Sequence, residues 1–184
     1  PDAVSLVLAR TDGRAIHFKP GMFFTVLVTI DGQEYRRAYS ACSAAQETGT
    51  ITLTVKRVVQ GGVKGLVSHW INEQLAVGDT LRVLGPSGSF VLEPSPTRAR
   101  VLLLVAGGSG ITPLMSIIRT VLVQEPGTRM VLLYGNRCKK DIIFLAALNA
   151  LCKAHPTRLV VTHILEKPPK NWAQEDGRLD ATLF

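Results

Sequence analysis

Apolar and β-branched residues fall in short runs along the first half of the chain, at 4–9, 23–30, 35–40, 50–59 and 80–84. Val, Ile, Thr, Phe and Tyr dominate these runs. Turn-forming pairs separate them: Asp12-Gly13, Pro20-Gly21, Asp31-Gly32, Thr48-Gly49 and Gly78-Asp79. The first residue types fit a pleated, half-buried surface, and glycine and aspartate supply the conformations that turns require. The pattern predicts closely spaced antiparallel strands closed as a barrel or a sandwich, with one helix over 68–75.

Past Glu93-Pro94-Ser95-Pro96, a connection-like stretch, the rhythm changes. A continuous apolar strand at 100–106 is followed by a helix at 113–124, a strand at 130–134, a helix at 141–154 and a strand at 159–164. Continuous apolar strands alternating with helices predict a parallel sheet covered on two sides. The chain therefore reads as a β domain over 1–95 and an α/β domain over 96–184. The second supplies three strands where doubly wound nucleotide domains commonly have roughly five or six, so it is expected to be truncated at its C-terminus.

Composition narrows the class. Of 184 residues, 46% are hydrophobic and 19% charged, which sustains a buried core and excludes a disordered, collagen-like or coiled-coil chain. The longest wholly apolar run, 101–106, falls far short of the roughly 18 residues of a membrane-crossing helix. Pro1-Asp2 opens no secretory leader pattern, and the cytoplasm is the expected compartment. Cys42, Cys138 and Cys152 match no zinc or iron–sulfur spacing and read as free thiols. The four histidines form no paired ligand spacing, so no metal site is expected. The net charge of +7 is uneven: nine Lys/Arg against eight Asp/Glu over 1–95, and twelve against six over 96–184. These cations are scattered without an aromatic platform, so a small anionic ligand fits them better than nucleic acid.

Two segments could hold such a ligand at a helix start. In Gly107-Gly108-Ser109-Gly110-Ile111-Thr112-Pro113 a buried strand runs through glycines into a helix whose free N–H groups favour phosphate, with Thr112 suited to the N-cap and Pro113 to the first helical position. It departs from the G-x-G-x-x-G fingerprint. Gly61-Gly62-Val63-Lys64-Gly65-Leu66-Val67-Ser68 is either a second anion seat or a flexible hairpin with Ser68 as a plain N-cap. In Tyr35-Arg36-Arg37-Ala38-Tyr39-Ser40 the two-residue strand period puts Arg37 and Tyr39 on one face, either toward one ligand or simply exposed. Arg137, after Tyr134-Gly135-Asn136, stands where an acid usually meets the adenosine ribose; it either accepts a 2′-phosphate, tilting the choice to NADPH, or is solvated.

Taken in order, Arg37-Ala38-Tyr39-Ser40, Gly65-Leu66-Val67-Ser68, Gly85-Pro86-Ser87-Gly88-Ser89-Phe90 and the Gly107–Pro113 segment resemble the ferredoxin-NADP reductase superfamily over nearly the whole chain. Pro20-Gly21-Met22-Phe23 also resembles that family's P-G-Q-F/Y turn, with Met22 in place of glutamine. The resemblance implies an antiparallel six-stranded β-barrel that binds FAD, then a Rossmann-like parallel α/β domain that binds NAD(P)H. Carried over, the Arg37-Ala38-Tyr39-Ser40 segment would bind FAD, with Arg37 on the pyrophosphate, Tyr39 against the isoalloxazine or ribityl chain and Ser40 near flavin N5. Gly65, Leu66, Val67 and Ser68 would complete the pyrophosphate site, and Val55, Lys56 and Arg57 would line the flavin with backbone groups. Gly107, Gly108, Ser109, Gly110 and Thr112 would hold NAD(P)H, with Thr112 at the flavin–nicotinamide contact and Asn136 and Arg137 toward the adenosine.

Gly65-Leu66-Val67-Ser68-His69-Trp70, Tyr134-Gly135-Asn136-Arg137, His163-Ile164-Leu165-Glu166, Trp172 and Gly177-Arg178 look most like reductase components of bacterial oxygenases, of the phenylacetyl-CoA epoxidase and ketosteroid hydroxylase type. The implied activity is an FAD-dependent NAD(P)H oxidoreductase passing electrons to a ferredoxin-type domain or an oxygenase component. Such proteins often continue into a 2Fe-2S ferredoxin domain, whose Cys-Gly-Pro segment and four cluster cysteines are absent here, so any such cluster belongs to sequence outside this chain. The competing reading is a flavin-holding electron-transfer or regulatory subunit without productive NAD(P)H turnover. A nucleic-acid-binding module is a third, weaker one.

Overall fold

The structure, a computed structural model, describes residues 2–179. In the first half, β1 (Ala3–Leu8), β2 (Phe23–Ile30), β3 (Gln33–Ser40) and β4 (Ile51–Lys56) are followed by a short hairpin of β5 (Val59–Gln60) and β6 (Val63–Lys64), helix α1 (Leu66–Glu73) and β7 (Arg82–Ser87). β1 pairs antiparallel with β4, and β2 lies between β3 and β7. Ala41, just past β3, bridges to Leu53 and links the two sheets. Alternation along β2 sends Phe24, Val26 and Val28 into a core with Leu53, Val55 and Ile71. Full burial of each such side chain stabilises by about 1.5–3 kcal/mol.

The second half comprises β8 (Val101–Gly107), α2 (Ile111–Gln124), β9 (Arg129–Asn136), α3 (Leu145–Ala154) and β10 (Leu159–Leu165). Its three strands are parallel in the order β10-β9-β8. Successive right-handed crossovers in one direction place both helices on the same face of the sheet. Leu104, Leu132, Tyr134 and Leu159 meet Ile118 and Leu148 there in one core. The expected cover on two sides is therefore corrected: Val101 is 70% exposed, Leu103 58% and Val105 45%, because no helix among the described residues lies over the other face.

Several expected boundaries also move. The run at 50–59 breaks after Lys56 because Gly61 and Gly62, both at positive φ, turn the chain into the β5–β6 hairpin. The first helix starts at Leu66 with Gly65 as N-cap, so Ser68 lies inside it. A 3-10 turn at Gly108–Gly110 precedes α2, whose N-cap is Gly110; Thr112 and Pro113 are its second and third residues. The helix expected over 141–154 is shortened to α3, because Phe144 takes a left-handed backbone (φ 64°) and Ile142 is extended. Gly85-Pro86-Ser87 continues β7 as strand, and Phe90 is 62% exposed.

Candidate active site

The two halves enclose a cleft of about 680 Å³, within the size range of small-molecule and cofactor sites. Lys56 and Arg57 reach it from the end of β4, Gly107 and Gly108 from the β8–α2 turn, and Asn136 and Arg137 from the end of β9. All six were singled out from the sequence, and the fold brings them together at the carboxyl ends of the parallel strands, where open α/β sheets bind ligands. A Cβ added at Gly107, Gly108 or Gly110 would meet no atom within 4 Å, so the backbone there can approach a ligand closely. Gly108 sits at φ +49°, and its carbonyl accepts a hydrogen bond from the Tyr134 hydroxyl at 2.9 Å. That phenol in turn accepts from the Ile143 N–H, and burial pushes its pKa up to about 12. The turn is thereby held open from below by β9.

Polar groups buried at the cleft wall are left without protein partners. The Asn136 amide is 93% buried by residue, at 7% exposure, and neither its oxygen nor its nitrogen is hydrogen-bonded. The Arg57 Nε is likewise buried and unpartnered. Buried polar groups are overwhelmingly satisfied in native proteins, so an unpartnered amide and an unpartnered guanidinium Nε at one cleft wall mark where a polar ligand belongs. Two other arginines at its mouth, by contrast, face carboxylates: Arg137 donates to Asp141 at 3.0 Å and Arg178 lies 3.3 Å from Glu166, whereas Arg57 Nη1 lies 4.0 Å from Asp2. Burial raises the Asp141 pKa, but hydrogen bonds from Cys138 and Arg137 outweigh it and hold the carboxyl below the usual range. Sequence reasoning missed Asp141 as a cleft residue, and took Glu166 and Arg178 only as part of a resemblance. The signal for Glu166 was available, since it is a charge immediately past the carboxyl end of β10, as Arg137 is past β9.

The remaining singled-out residues lie outside the cleft's lining, around β3, on β4 and at the starts of α1 and α2. Arg37 and Tyr39 share a face of β3, opposite Val26 and Phe24 of β2 in register, and Ala38 takes the other face. The Arg37 guanidinium donates to the Arg36 carbonyl at 2.8 Å and has no carboxylate partner among the described residues. Tyr39 is half-buried, and burial raises its pKa against the opposing effect of Arg37. Ser40 is half-buried beside Phe23 of β2. Val55, Val67 and Ser68 are buried, whereas Leu66 is exposed. Ser68 donates from Oγ to the Gly65 carbonyl at 2.9 Å and accepts from the Val58 N–H at 3.1 Å, so its hydroxyl fixes the hairpin rather than capping α1. The first N–H groups of α1, from Leu66, Val67 and Ser68, have no intrahelical acceptor. A Cβ at Gly65 would come within 2.9 Å of the Ser68 Oγ, which explains glycine at this approach. Thr112 donates from Oγ1 to the Ser109 carbonyl at 3.1 Å.

A sheet-rich unit presenting a free arginine and a helix N-terminus, joined across a cleft to a parallel sheet with a glycine-rich strand-to-helix turn, defines a flavin- and nicotinamide-binding oxidoreductase class of fold. The family profile described as oxidoreductase FAD-binding domain matches residues 3–92, and that described as oxidoreductase NAD-binding domain matches residues 104–184. The chain belongs to the ferredoxin-NADP reductase superfamily. It is 35% identical over 181 residues to one component of the 1,2-phenylacetyl-CoA epoxidase of Escherichia coli, covering 97% of this chain and 49% of that protein. It is 40% identical over 174 residues to the ferredoxin reductase component of 3-ketosteroid-9-alpha-monooxygenase of Mycobacterium tuberculosis, covering 90% of this chain and 46% of that protein. The crystal structure of the cytochrome b5 reductase domain of Ulva prolifera nitrate reductase superposes with a TM-score of 0.84 at 26% identity, over 97% of this chain and 73% of that one. The chain spans about half the length of the curated relatives it matches.

Proposed function

We propose that this chain is the FAD- and nicotinamide-binding part of a reductase component that passes electrons from NAD(P)H to an iron–sulfur protein or oxygenase. The observation that carries this reading is the cleft between the halves, with the unpartnered Asn136 amide and Arg57 Nε at its wall and open glycine backbone at Gly107 and Gly108. Residues 1–95 form the FAD unit, in which β1 to β4, β7 and one strand of the hairpin after β4 serve as a six-stranded barrel; residues 96–184 form the nucleotide unit. Three unpaired thiols accord with a cytoplasmic setting.

The residues around β3 fit FAD. Arg37, a cation with no carboxylate partner among the described residues, and the free N–H groups of Leu66, Val67 and Ser68 can neutralise a pyrophosphate from two directions. Tyr39 offers a half-buried aromatic face to a flat heterocycle, with Ser40 placed for the flavin edge. FAD held there would supply the redox chemistry, a change from hydride to single-electron transfer. The chain binds and orients: Gly107, Gly108, Ser109, Gly110 and the start of α2 cradle the dinucleotide phosphates, Asn136 takes a polar edge of the nucleotide, and Lys56 and Arg57 close the cleft from the flavin side. Thr112 keeps the turn in shape through Ser109. No side chain need act as a general acid or base.

The cleft mouth favours NADH over the NADPH that Arg137 alone implies. Arg137 and Arg178 are each opposed by a carboxylate, and a 2′-phosphate would meet Asp141 and Glu166 as well. The test of the reading is anaerobic addition of NADH to the purified protein: the flavin absorbance should bleach. Yellow protein that NADH and NADPH leave unbleached would instead be the flavin-holding subunit without turnover.

A further inference from the structure

The proposed hydride transfer needs two groups held by different halves to meet, and α2 runs from one of them into the other half. Its N-terminal end carries the nucleotide turn; about 12 Å along, eight residues on, it meets the strap that follows Ser40. Ala41, Cys42, Ser43 and Ala44 of this strap are 0%, 0%, 1% and 2% exposed. They are bound to β4 on one side, through the Cys42 N–H to the Thr52 carbonyl at 2.9 Å and the Thr52 N–H to Ser43 Oγ at 3.1 Å. On the other side they are bound to α2. Arg119 donates from Nη1 to the Cys42 carbonyl at 2.8 Å, and the Ala45 N–H donates to Thr120 Oγ1 at 3.0 Å.

Thr112, Ser116 and Thr120 follow at i, i+4 and i+8, which places three hydroxyls on one stripe of α2. All three are buried, at 7%, 0% and 0% exposure. Ser116 Oγ has no partner, so this stripe is tied at its two ends: Thr112 to the nucleotide turn and Thr120 to the strap. Directly after Ser40, then, the backbone that would present the flavin is fastened to the helix that would present the nicotinamide.

We propose that Arg119 and Thr120 are positioning residues for hydride transfer: by clamping α2 to the Ala41–Ala45 strap they set the distance and angle at which nicotinamide meets flavin. Neither touches the cleft. The inference rests on the reductase reading, and it makes α2 the rigid spacer between the two cradles. A displacement of the order of 1 Å between reacting groups is enough to slow a reaction about 100-fold.

The test uses Thr120→Val and Arg119→Met singly in the flavin-loaded protein, with Arg119→Lys as the conservative variant. FAD content and the Kd for NADH should stay within about two-fold of the parent, while anaerobic flavin reduction slows about ten-fold or more. The long-wavelength charge-transfer absorbance of nicotinamide stacked on flavin should weaken in parallel, and Arg119→Lys should restore most of both. Parental reduction rate and absorbance in both variants would overturn the clamp. A variant that does not retain FAD is read by amide hydrogen exchange, which the clamp requires to quicken both at 107–112 and at 41–45; unchanged protection at either segment overturns it. Failure of NADH to bleach the parent would sink the reductase reading instead, and hydrogen exchange alone would then judge the clamp.

Discussion

Arg36 and Arg37 are neighbours on one strand with opposite fates. Arg36 pairs with Glu34 at 2.9 Å, whereas Arg37 has only the Arg36 carbonyl. Strand alternation in the sequence was enough to separate them by face. Arg37→Ala should yield protein largely free of FAD, since a pyrophosphate losing a charged bidentate partner costs about 2–4 kcal/mol; flavin absorbance per protein after purification checks it, and full retention would remove Arg37 from the site. The place of Glu166 past the end of β10 was legible, but its effect on a ligand was not, because that depends on Arg178 and on the cleft mouth that the fold assembles. Glu166→Gln should raise the NADPH-to-NADH ratio of kcat/KM by about five- to ten-fold, the size expected for removing one nearby like charge. An unchanged ratio would make Glu166 a bystander. His163 is a different case. It is 1% exposed between the Tyr134 and Trp172 rings, neither ring nitrogen has a partner, and burial lowers its pKa. The unfolded chain protonates first, near pH 6.5, so stability is full above that pH and falls as pH drops from there through the depressed folded value. His163→Gln should flatten the slope of Tm between about pH 6.5 and 5; a slope equal to the parent's would mean another group causes it.

Elements were legible where one period dominates a run and blurred where the backbone changes conformation within it. β2 and β8 stand where the alternating and the continuous apolar patterns put them, but nothing in Ile142-Ile143-Phe144 distinguishes helix from the extended and left-handed residues found there. The cap of α2 was misplaced for a related reason: a 3-10 turn and the helix after it share the same composition. At its other end, α2 is closed by a network invisible to local pattern. Glu125, 0% exposed, accepts from the Ser95 N–H at 3.0 Å, from Arg100 Nη2 at 2.9 Å and from the Thr128 hydroxyl at 2.8 Å. Arg158 reaches the carbonyls of Leu122 at 2.9 Å and Glu125 at 2.7 Å. Glu125 therefore ties the segment around Ser95 to the end of the helix. Burial raises its pKa, but the Thr128, Ser95 and Arg100 hydrogen bonds prevail and lower it. Glu125→Ala should destabilise by about 3–5 kcal/mol, because it leaves Arg100 without its carboxylate and Ser95 without its acceptor. Chemical denaturation at pH 7 measures this, and a loss below about 1 kcal/mol would show the network to be superficial.

For the whole molecule, the order of a strand-rich half and a parallel-sheet half was written in the change of rhythm near residue 95, while the way they join was not. The bonds that join them link residues 75 and 77 positions apart, and such contacts leave no trace in any local window. Cys42 sits at this junction. It belongs by sequence to the strap of the first half, yet packs in the core built by α2 and the parallel sheet. Its Sγ lies 3.2 Å from the Thr52 carbonyl and 3.2 Å from Thr54 Oγ1, at 0% exposure, and burial raises its pKa. Only the thiolate reacts readily with alkylating agents, so both access and ionisation protect Cys42 while the halves are packed. Cys138 and Cys152 are partly exposed and should be alkylated before Cys42 in the native protein. Cys42 should be labelled only as fast as the halves part, and in a denaturant series its labelling should rise together with the loss of far-UV circular dichroism. Mass spectrometry of peptides after timed labelling distinguishes the three thiols. Native-state labelling of Cys42 at the rate of Cys138 would mean that the halves separate freely, and a helix that moves with one of them could not fix the distance between a flavin and a nicotinamide.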